Sequence, residues 1–411
     1  MGLKKLLAEL DQYENPFDIQ GTDDPHQNQE QKPIVDVGLV SRASKELVVL
    51  DVNKNSQVRH ALLIAPYGGG KSATLRKIYH ETYLMQRPVA YEKLESGKFK
   101  EVFQESTDIG RKYVSKLFTE VSIEIIKRVV KFEGKTGKEF ETAFKSESEK
   151  FLQEKAKRSL PNVFMELGEW VIKKGFAPGV VLIDEVEALL TTDEISDAVK
   201  LNILDYFKNW SETTRKGLSL ILAGTQACLD FISQRAPKLI GGRFTIFDQY
   251  ALDIDEVADY IKKKCRAATK NHSNSGELFN EEAVELVARA SHGIPRRIEI
   301  ICSGAWQIAT VSQSKVDRTV IREQLYSSGE GVLNNLMNDY KLTRLQKTAL
   351  RKLLKYGMNT IYAREALLYS EKGAIRRIAE KEFDIPMITK HGRGEYEFSD
   401  EILIEMFDKH H

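Results

Sequence analysis

The chain has little of what marks secreted, disulfide-stapled or membrane-spanning proteins. Its 411 residues include three cysteines, Cys228, Cys265 and Cys302, far apart and in apolar or helical surroundings. That usage excludes a disulfide framework and a paired-cysteine metal site, and implies core thiols in a reducing compartment. No run of about 18 consecutive apolar residues occurs, so no membrane span is expected. Neither sign of charge dominates: 61 Lys plus Arg stand against 60 Asp plus Glu, which makes any surface for a polyanion local rather than global. These absences predict a soluble, cytoplasmic protein with no membrane partner. The length allows two or three domains with ordinary cores.

What the chain does have is concentrated first in residues 61–75. An apolar run, Ala61-Leu62-Leu63-Ile64, leads into Ala65-Pro66-Tyr67-Gly68-Gly69-Gly70-Lys71-Ser72-Ala73, a buried strand, a glycine turn and a helix start. The pattern is that of a phosphate-binding loop, in which backbone N–H groups wrap a phosphate, the Lys reaches its oxygens and the Ser hydroxyl ligates Mg²⁺. A plain glycine hairpin is the alternative. Ala65 stands where the pattern opens with glycine, and its methyl is tolerable only at negative φ. The expected ligands are ATP, held by residues 65–73, and Mg²⁺, held in part by Ser72.

The remainder of the chain is read around that loop. Residues 3–13 have a helical apolar spacing, Glu14-Asn15-Pro16-Phe17 opens an extended segment, and residues 21–32 form a polar loop. Residues 38–50 predict a short helix that would flank a base pocket. A helix over 72–85 follows, then a strand near 88–93 or 99–105. From 110 to 174 the pattern is helical, and its stretch 131–160 carries eight basic and six acidic residues, the mixed charge of a solvated face or inserted arm. In Gly179-Val180-Val181-Leu182-Ile183-Asp184-Glu185 an apolar run ends in paired acids, as a central parallel strand does when its C-terminal end holds a metal. Asp184 would hold Mg²⁺ through water and Glu185 would polarise a water attacking the γ-phosphate; acids here also occur simply as a helix N-terminus. Residues 218–224 are a further buried strand, ended by Thr225, which either sits beside the γ-phosphate or caps the next helix. Arg243, on the Gly241-Gly242 turn before a last strand over 245–252, is placed to reach out of its own domain.

Taken in order, the loop, Asp184-Glu185, Thr225, Arg243-Phe244 and Gly293-Ile294-Pro295-Arg296-Arg297 resemble the AAA+ ATPases. The resemblance covers roughly residues 40–325. It is nearest to the branch of archaeal origin-recognition and helicase-loading proteins and the related transposition-regulator ATPases. It implies an α/β fold: a P-loop three-layer αβα core with a parallel sheet, and a helical lid. It also implies that Thr225 is a first sensor, that Arg243 is an arginine finger donated to a neighbouring subunit, with Arg235 the competing candidate, and that Arg296 is a second sensor closing the lid rather than a surface charge. Thr225 stands where origin-recognition proteins more often have Asn, which points toward the transposition-regulator branch. The expected division is an N-terminal extension 1–37, a core 38–252 with its insertion at 110–174, a lid 253–326 and a linker 327–336. Within the lid, helices are expected over 253–270, 280–290, 295–311 and 317–326, with Asp255 and Asn280 as N-caps.

The C-terminal module, 337–409, reads as helices over 342–356, 360–369 and 372–383, then a hairpin of 386–390 and 395–399. It resembles the winged helix-turn-helix. Its third helix would enter a major groove with Lys372, Arg376, Arg377 and Lys381, and its hairpin would lay Lys390 and Arg393 on the backbone or minor groove. Residues 341–393 carry thirteen basic and five acidic side chains, a balance of +8. The expected function is an ATPase, slow as a monomer, that binds duplex DNA and uses ATP-dependent self-association to control initiation, loading or transposition-type complexes. The rival is a signal-transducing switch, in defence or regulation, whose winged helix docks a protein; the helical insertion is a second possible protein-docking surface. Arg296 after the Gly-x-Pro argues against that rival.

Overall fold

The computed structural model describes residues 37–49, 60–94, 109–157, 160–190, 196–213, 217–240, 242–248, 251–269, 275–327, 342–356, 367–380, 387–392 and 395–399, with positions 6, 7, 10, 13, 15–17, 35 and 337. At its centre is a five-stranded sheet of β1 (His60–Ile64), β2 (Val89–Lys93), β3 (Gly179–Asp184), β4 (Leu218–Gly224) and β5 (Phe244–Asp248), all parallel, in the order β2-β3-β4-β1-β5. Because side chains alternate along a strand, both faces of β1 are apolar: Ala61 and Leu63 point to one cluster, Leu62 and Ile64 to the other. Helix α1 (Gly38–Ser44), extended by one π-helical turn over Lys45–Val49, and α2 (Lys71–Leu84) cover the first face.

The second face is covered by helices of the predicted insertion. That stretch forms α3 (Ile109–Phe132), α4 (Gly137–Lys157) and α5 (Leu160–Lys173). Phe118 of α3, Phe164 of α5 and Trp210 of α7 (Asp197–Thr213) stack together, with Phe164 and Trp210 4.3 Å apart. Arg128 donates to the Tyr79 hydroxyl at 2.6 Å and lies over the Tyr83 ring, joining α3 to α2. So α3 and α5 are a layer of the core rather than a solvated arm, and the charged, exposed positions concentrate on α4.

Three sequence expectations are sharpened or shifted here. The strand after the loop is β2, at the first of the two predicted places, while 99–105 lies outside the described residues. The last strand ends at Asp248, short of the predicted 252, because Leu252-Asp253 already leads into α10 (Ile254–Ala268). The cap of α10 is Asp253, not Asp255: its carboxylate accepts from Glu256 N–H at 2.8 Å and Glu256 returns to Asp253 N–H at 3.1 Å, a reciprocal capping box. After the short helices α6 (Glu187–Leu190), α8 (Gln226–Arg235) and α9 (Pro237–Ile240), the lid consists of α10, α11 (Glu281–Ser291), α12 (Pro295–Ser312) and α13 (Arg318–Ser327). Asn280 caps α11 as predicted.

A third apolar cluster joins the lid to both ends of the chain. Leu6, Leu10 and Phe17 are buried in it with lid residues and with Leu353, Ile375 and Ile388 of the C-terminal module. Asn15 Nδ2 donates to the Ser303 carbonyl at 3.0 Å and Phe17 meets Phe279 edge-on at 5.8 Å. The described part of the N-terminal segment is thus bound to the lid. The C-terminal module shows α14 (Arg344–Tyr356), α15 (Tyr369–Glu380) and the antiparallel hairpin β6 (Ile388–Gly392) and β7 (Glu395–Phe398), the arrangement of a winged helix. Helix α15 starts at Tyr369, ahead of the predicted 372, because Glu371 accepts from Leu368 N–H at 2.7 Å and is fastened to Lys352 of α14 at 2.8 Å. Most of the predicted middle helix 360–369, with Lys381 and Arg393, lies outside the described residues. Among the described residues no helix is long and apolar enough to cross a membrane.

Candidate functional site

The loop between β1 and α2 sits at the C-terminal end of the sheet, where the chain order reverses: β1 is followed by a crossover to β2, past β4 and β3, and such a crevice is where open parallel sheets bind ligands. Gly68 and Gly70 have φ of +79° and +93°, conformations that only glycine adopts freely. A Cβ on Gly69 would lie 2.8 Å from the Ala65 methyl and 3.0 Å from the Pro66 carbonyl. The loop is therefore a tight cradle with no room for a side chain at Gly69, and at Gly70 it is the positive φ rather than crowding that calls for glycine. Ala65 itself is not among the positive-φ residues, so its methyl sits in the opening position without strain. Gly70 precedes α2 with no side-chain cap, leaving N–H groups at a helix start directed at an anion site. The cradle and helix start fit a phosphate chain.

Lys71 is buried, and its Nζ donates to the carbonyls of Ala65 at 2.8 Å and Pro66 at 3.2 Å. Its nearest carboxylate is Glu187 at 3.8 Å. Burial pushes the Glu187 carboxyl above its usual range, against the opposing pull of Lys71. Across β4, Asp184 is fully buried and both its oxygens are fixed, Oδ1 by Glu185 N–H at 2.9 Å and Oδ2 by the Tyr91 hydroxyl at 3.0 Å. Glu185 takes φ +55°, a left-handed conformation that costs a non-glycine residue about 1–2 kcal/mol and is retained where the surroundings enforce it. Its side chain turns to Lys93 at the end of β2, 3.3 Å away. Ser72 and Ala73 begin α2 half-buried beside the loop.

Thr225 directly follows β4, the strand lying between the loop and the acids. It occupies the N-cap position of α8, yet its side chain makes no cap bond; it bonds the Cys228 thiol instead, whose pKa burial raises to about 12. Capping therefore does not account for the hydroxyl. Arg296, in the first turn of α12, touches the loop directly. Its N–H donates to the Gly68 carbonyl at 3.2 Å, its guanidinium lies 5.2 Å from the Tyr67 ring centroid, and a Cβ on Gly68 would meet Arg296 Cβ at 2.7 Å. The lid is seated on the phosphate loop by these contacts.

Arg243 lies elsewhere. Phe244 pairs with His60 and Asp248 with Ile64, so Arg243 precedes β5 at the opposite end of the sheet, about 15 Å along the strand from its own loop. Arg235 is occupied by Asp197 at 3.0 Å. On the C-terminal module Arg376, Arg377 and Lys390 are exposed, Arg376 paired with Glu380 at 2.6 Å, and Lys372 is half-buried.

Sequence reasoning missed Glu187, Tyr91 and Lys93. Glu187 was visible in the Asp184-Glu185-Val186-Glu187 run, but only the one-turn helix α6 brings it round to Lys71. Tyr91 and Lys93 depend on β2 pairing with β3, where Lys93 stands opposite Asp184, and no residue pattern announces that pairing.

A groove of about 780 Å³ runs between α1, the end of β5 and α10, lined by Gly38, Ser41, Arg42, Asp248, Asp253 and Glu256 and by no residue of the loop. Cradle, acid strand, lid and hairpin module together define the class of fold, an open parallel sheet between helices with a glycine loop after its first strand, a helical lid and a C-terminal winged helix. No family model matches the chain. An uncharacterised HTH-type transcriptional regulator of Methanocaldococcus jannaschii is 26% identical over 179 residues, 43% of this chain and 41% of that protein. The match thus spans about two fifths of the curated relative's length. Among solved structures, the Aeropyrum pernix ORC2 protein is 10% identical, covers 97% of each chain and has a TM-score of 0.48. The Aeropyrum pernix ORC1 protein in complex with DNA is 14% identical over 93% of this chain and 96% of that one, with a TM-score of 0.45. Likeness at this level assigns no residue a role.

Proposed function

We propose that the chain binds and hydrolyses ATP at the loop between β1 and α2, assembles with copies of itself through that site, and acts on duplex DNA through its winged helix. The observation that carries the reading is the meeting, at one end of the sheet, of a side-chain-free cradle, a buried lysine, a fixed carboxylate and a lid arginine seated on the loop. Residues 65–73 would wrap the phosphates and Lys71 would exchange its two carbonyl partners for phosphate oxygens. Ser72 and Asp184 would hold Mg²⁺, which when bound neutralises phosphate charge. Glu185 would leave Lys93 to orient the attacking water, with Thr225 between it and the loop. Helix α1, whose Val40 lies beside Gly70 of the loop, would flank the base.

Self-association follows from Arg243. At the far end of β5 it cannot serve its own loop, so it is the candidate for donation to a neighbour. The DNA reading is supported by the exposed Arg376, Arg377 and Lys390, by the local balance of +8 over 341–393, and by the HTH-type regulator among the relatives.

Multiple-turnover assays on the wild type and Glu185→Gln, with light scattering in the presence and absence of ATP and a mixed-sequence duplex, test the proposal. Glu185→Gln should retain ATP binding and lose at least about a hundredfold in turnover, the scale of a general base. Unchanged turnover removes Glu185 from that role. Assembly that responds to ATP but never to the duplex moves the winged helix to protein docking.

A further inference from the structure

The outer face of α15 carries features that its own packing does not require. The helix buries Glu371, Ala374, Ile375 and Ile378 against its module. On the other side, at spacings of three and four, lie Tyr369, Lys372, Gly373, Arg376 and Glu380, one stripe of a helix. Tyr369 is 94% exposed and the preceding Leu368 65% exposed; a phenol ring and an isobutyl group left in water add nothing to the core. Gly373 sits in the middle of this helix although glycine is a much poorer helix former than alanine. Neither usual reason for it applies: its φ is not positive, and nothing lies within 4 Å of the Cβ it lacks. The space above Gly373 is open to solvent, bordered by Tyr369 one turn before it and by Arg376 after it.

We infer that duplex DNA docks on this stripe, with Gly373 the point at which the helix backbone comes closest to the duplex and Leu368-Tyr369 the tip that reads base edges. The inference rests on the DNA reading above and adds residues to it. A missing Cβ is what lets another molecule's backbone approach a helix closely. The first residues of a recognition helix are those that meet bases in a major groove, and there the apolar partner on offer is the thymine methyl. Arg376, held along the helix by Glu380 at 2.6 Å, and Arg377 then fall on flanking phosphates, as does Lys390 of β6. An apolar tip alone would equally suit a protein groove; the surrounding excess of basic residues favours a polyanion.

Full-length Gly373→Ala and Tyr369→Ala are compared with wild type by thermal melting, by ATP affinity as a measure of an intact fold, and by binding to fluorescent mixed, A·T-rich and G·C-rich duplexes. Gly373→Ala should melt no lower than wild type, since it improves the helix, and bind every duplex at least tenfold more weakly. Tyr369→Ala should melt as wild type and lose the preference for the A·T-rich over the G·C-rich duplex. Wild-type DNA affinity in Gly373→Ala overturns the close approach, and an unchanged preference in Tyr369→Ala overturns the reading tip. A wild-type chain that binds no duplex even at low salt overturns the DNA reading and this inference with it, leaving the ATP site standing.

Discussion

The two charged regions of the molecule are built in opposite ways. Around the phosphate loop the ionisable groups are folded onto one another: Lys71 onto two loop carbonyls and Glu187, Glu185 onto Lys93, Asp184 onto Tyr91, Arg296 onto Tyr67. On the winged helix, Tyr369, Arg377 and Lys390 stand in solvent. A buried charge is costly unless matched, so a site that must receive a highly charged ligand holds internal stand-ins until the ligand replaces them. A surface proposed to meet a large polyanion needs fewer: Arg376 is paired with Glu380, while for the exposed Arg377 and Lys390 water serves until contact. The first region should respond sharply to a single change, the second in small increments.

Lys71→Ala is the largest break. It removes the buried cation while leaving Glu187 and the two carbonyls without it, and nucleotide binding should be lost altogether in a titration with labelled ATP, with the far-ultraviolet spectrum unchanged. Retained affinity would mean that the cradle alone carries binding. The next effect comes from His60, at the start of β1. Its Nδ1 accepts from Leu220 N–H at 3.1 Å, and burial lowers its pKa from 6.5 to about 4. The fold holds this ring neutral while the unfolded chain protonates it near pH 6.5, so its contribution is complete above that pH and declines as pH falls toward 4. The difference of about 2.5 units corresponds to about 3 kcal/mol at the acid end. Denaturant unfolding from pH 7 to 4 should show that loss, and His60→Gln should flatten it. The smallest effect is expected on the open side. Replacing Arg376 and Arg377 together by Ala should lower the slope of log affinity against log salt by about 0.9 for each phosphate contact removed, with melting unaffected. A steep, all-or-none loss there would erase the contrast between the two regions.

That contrast also marks how far the sequence could be read. Strand β1 with its loop, β3 with its acids and β4 with Thr225 were legible because both faces of each strand are buried, and continuous apolar runs ending in glycine or polar residues stand out. The insertion was harder. Helix α3 packs Phe118 against Phe164 and Trp210, and only that tertiary partner distinguishes a core layer from an inserted arm, whereas the mixed charge read over 131–160 does fall on the exposed α4. The ion pair of Glu185 with Lys93 was not legible at all, since it depends on which strand lies at the edge of the sheet. Asp253 rather than Asp255 caps α10 because two acids only two residues apart compete, and the reciprocal bond from Glu256 settles the choice.

Helix α12 connects these regions in a way that sheet and loop do not. An α-helix of eighteen residues is a rod of about 27 Å, and its first turn rests on Gly68 and Tyr67 while Ser303, two turns further on, is held by Asn15. A rod held at one end by the loop and along its length by Asn15 has the geometry of a lever. If the loop takes a phosphate as proposed, a tilt of the rod beneath Arg296 would grow with distance from that end, and the apolar cluster shared with the C-terminal module would receive the larger displacement.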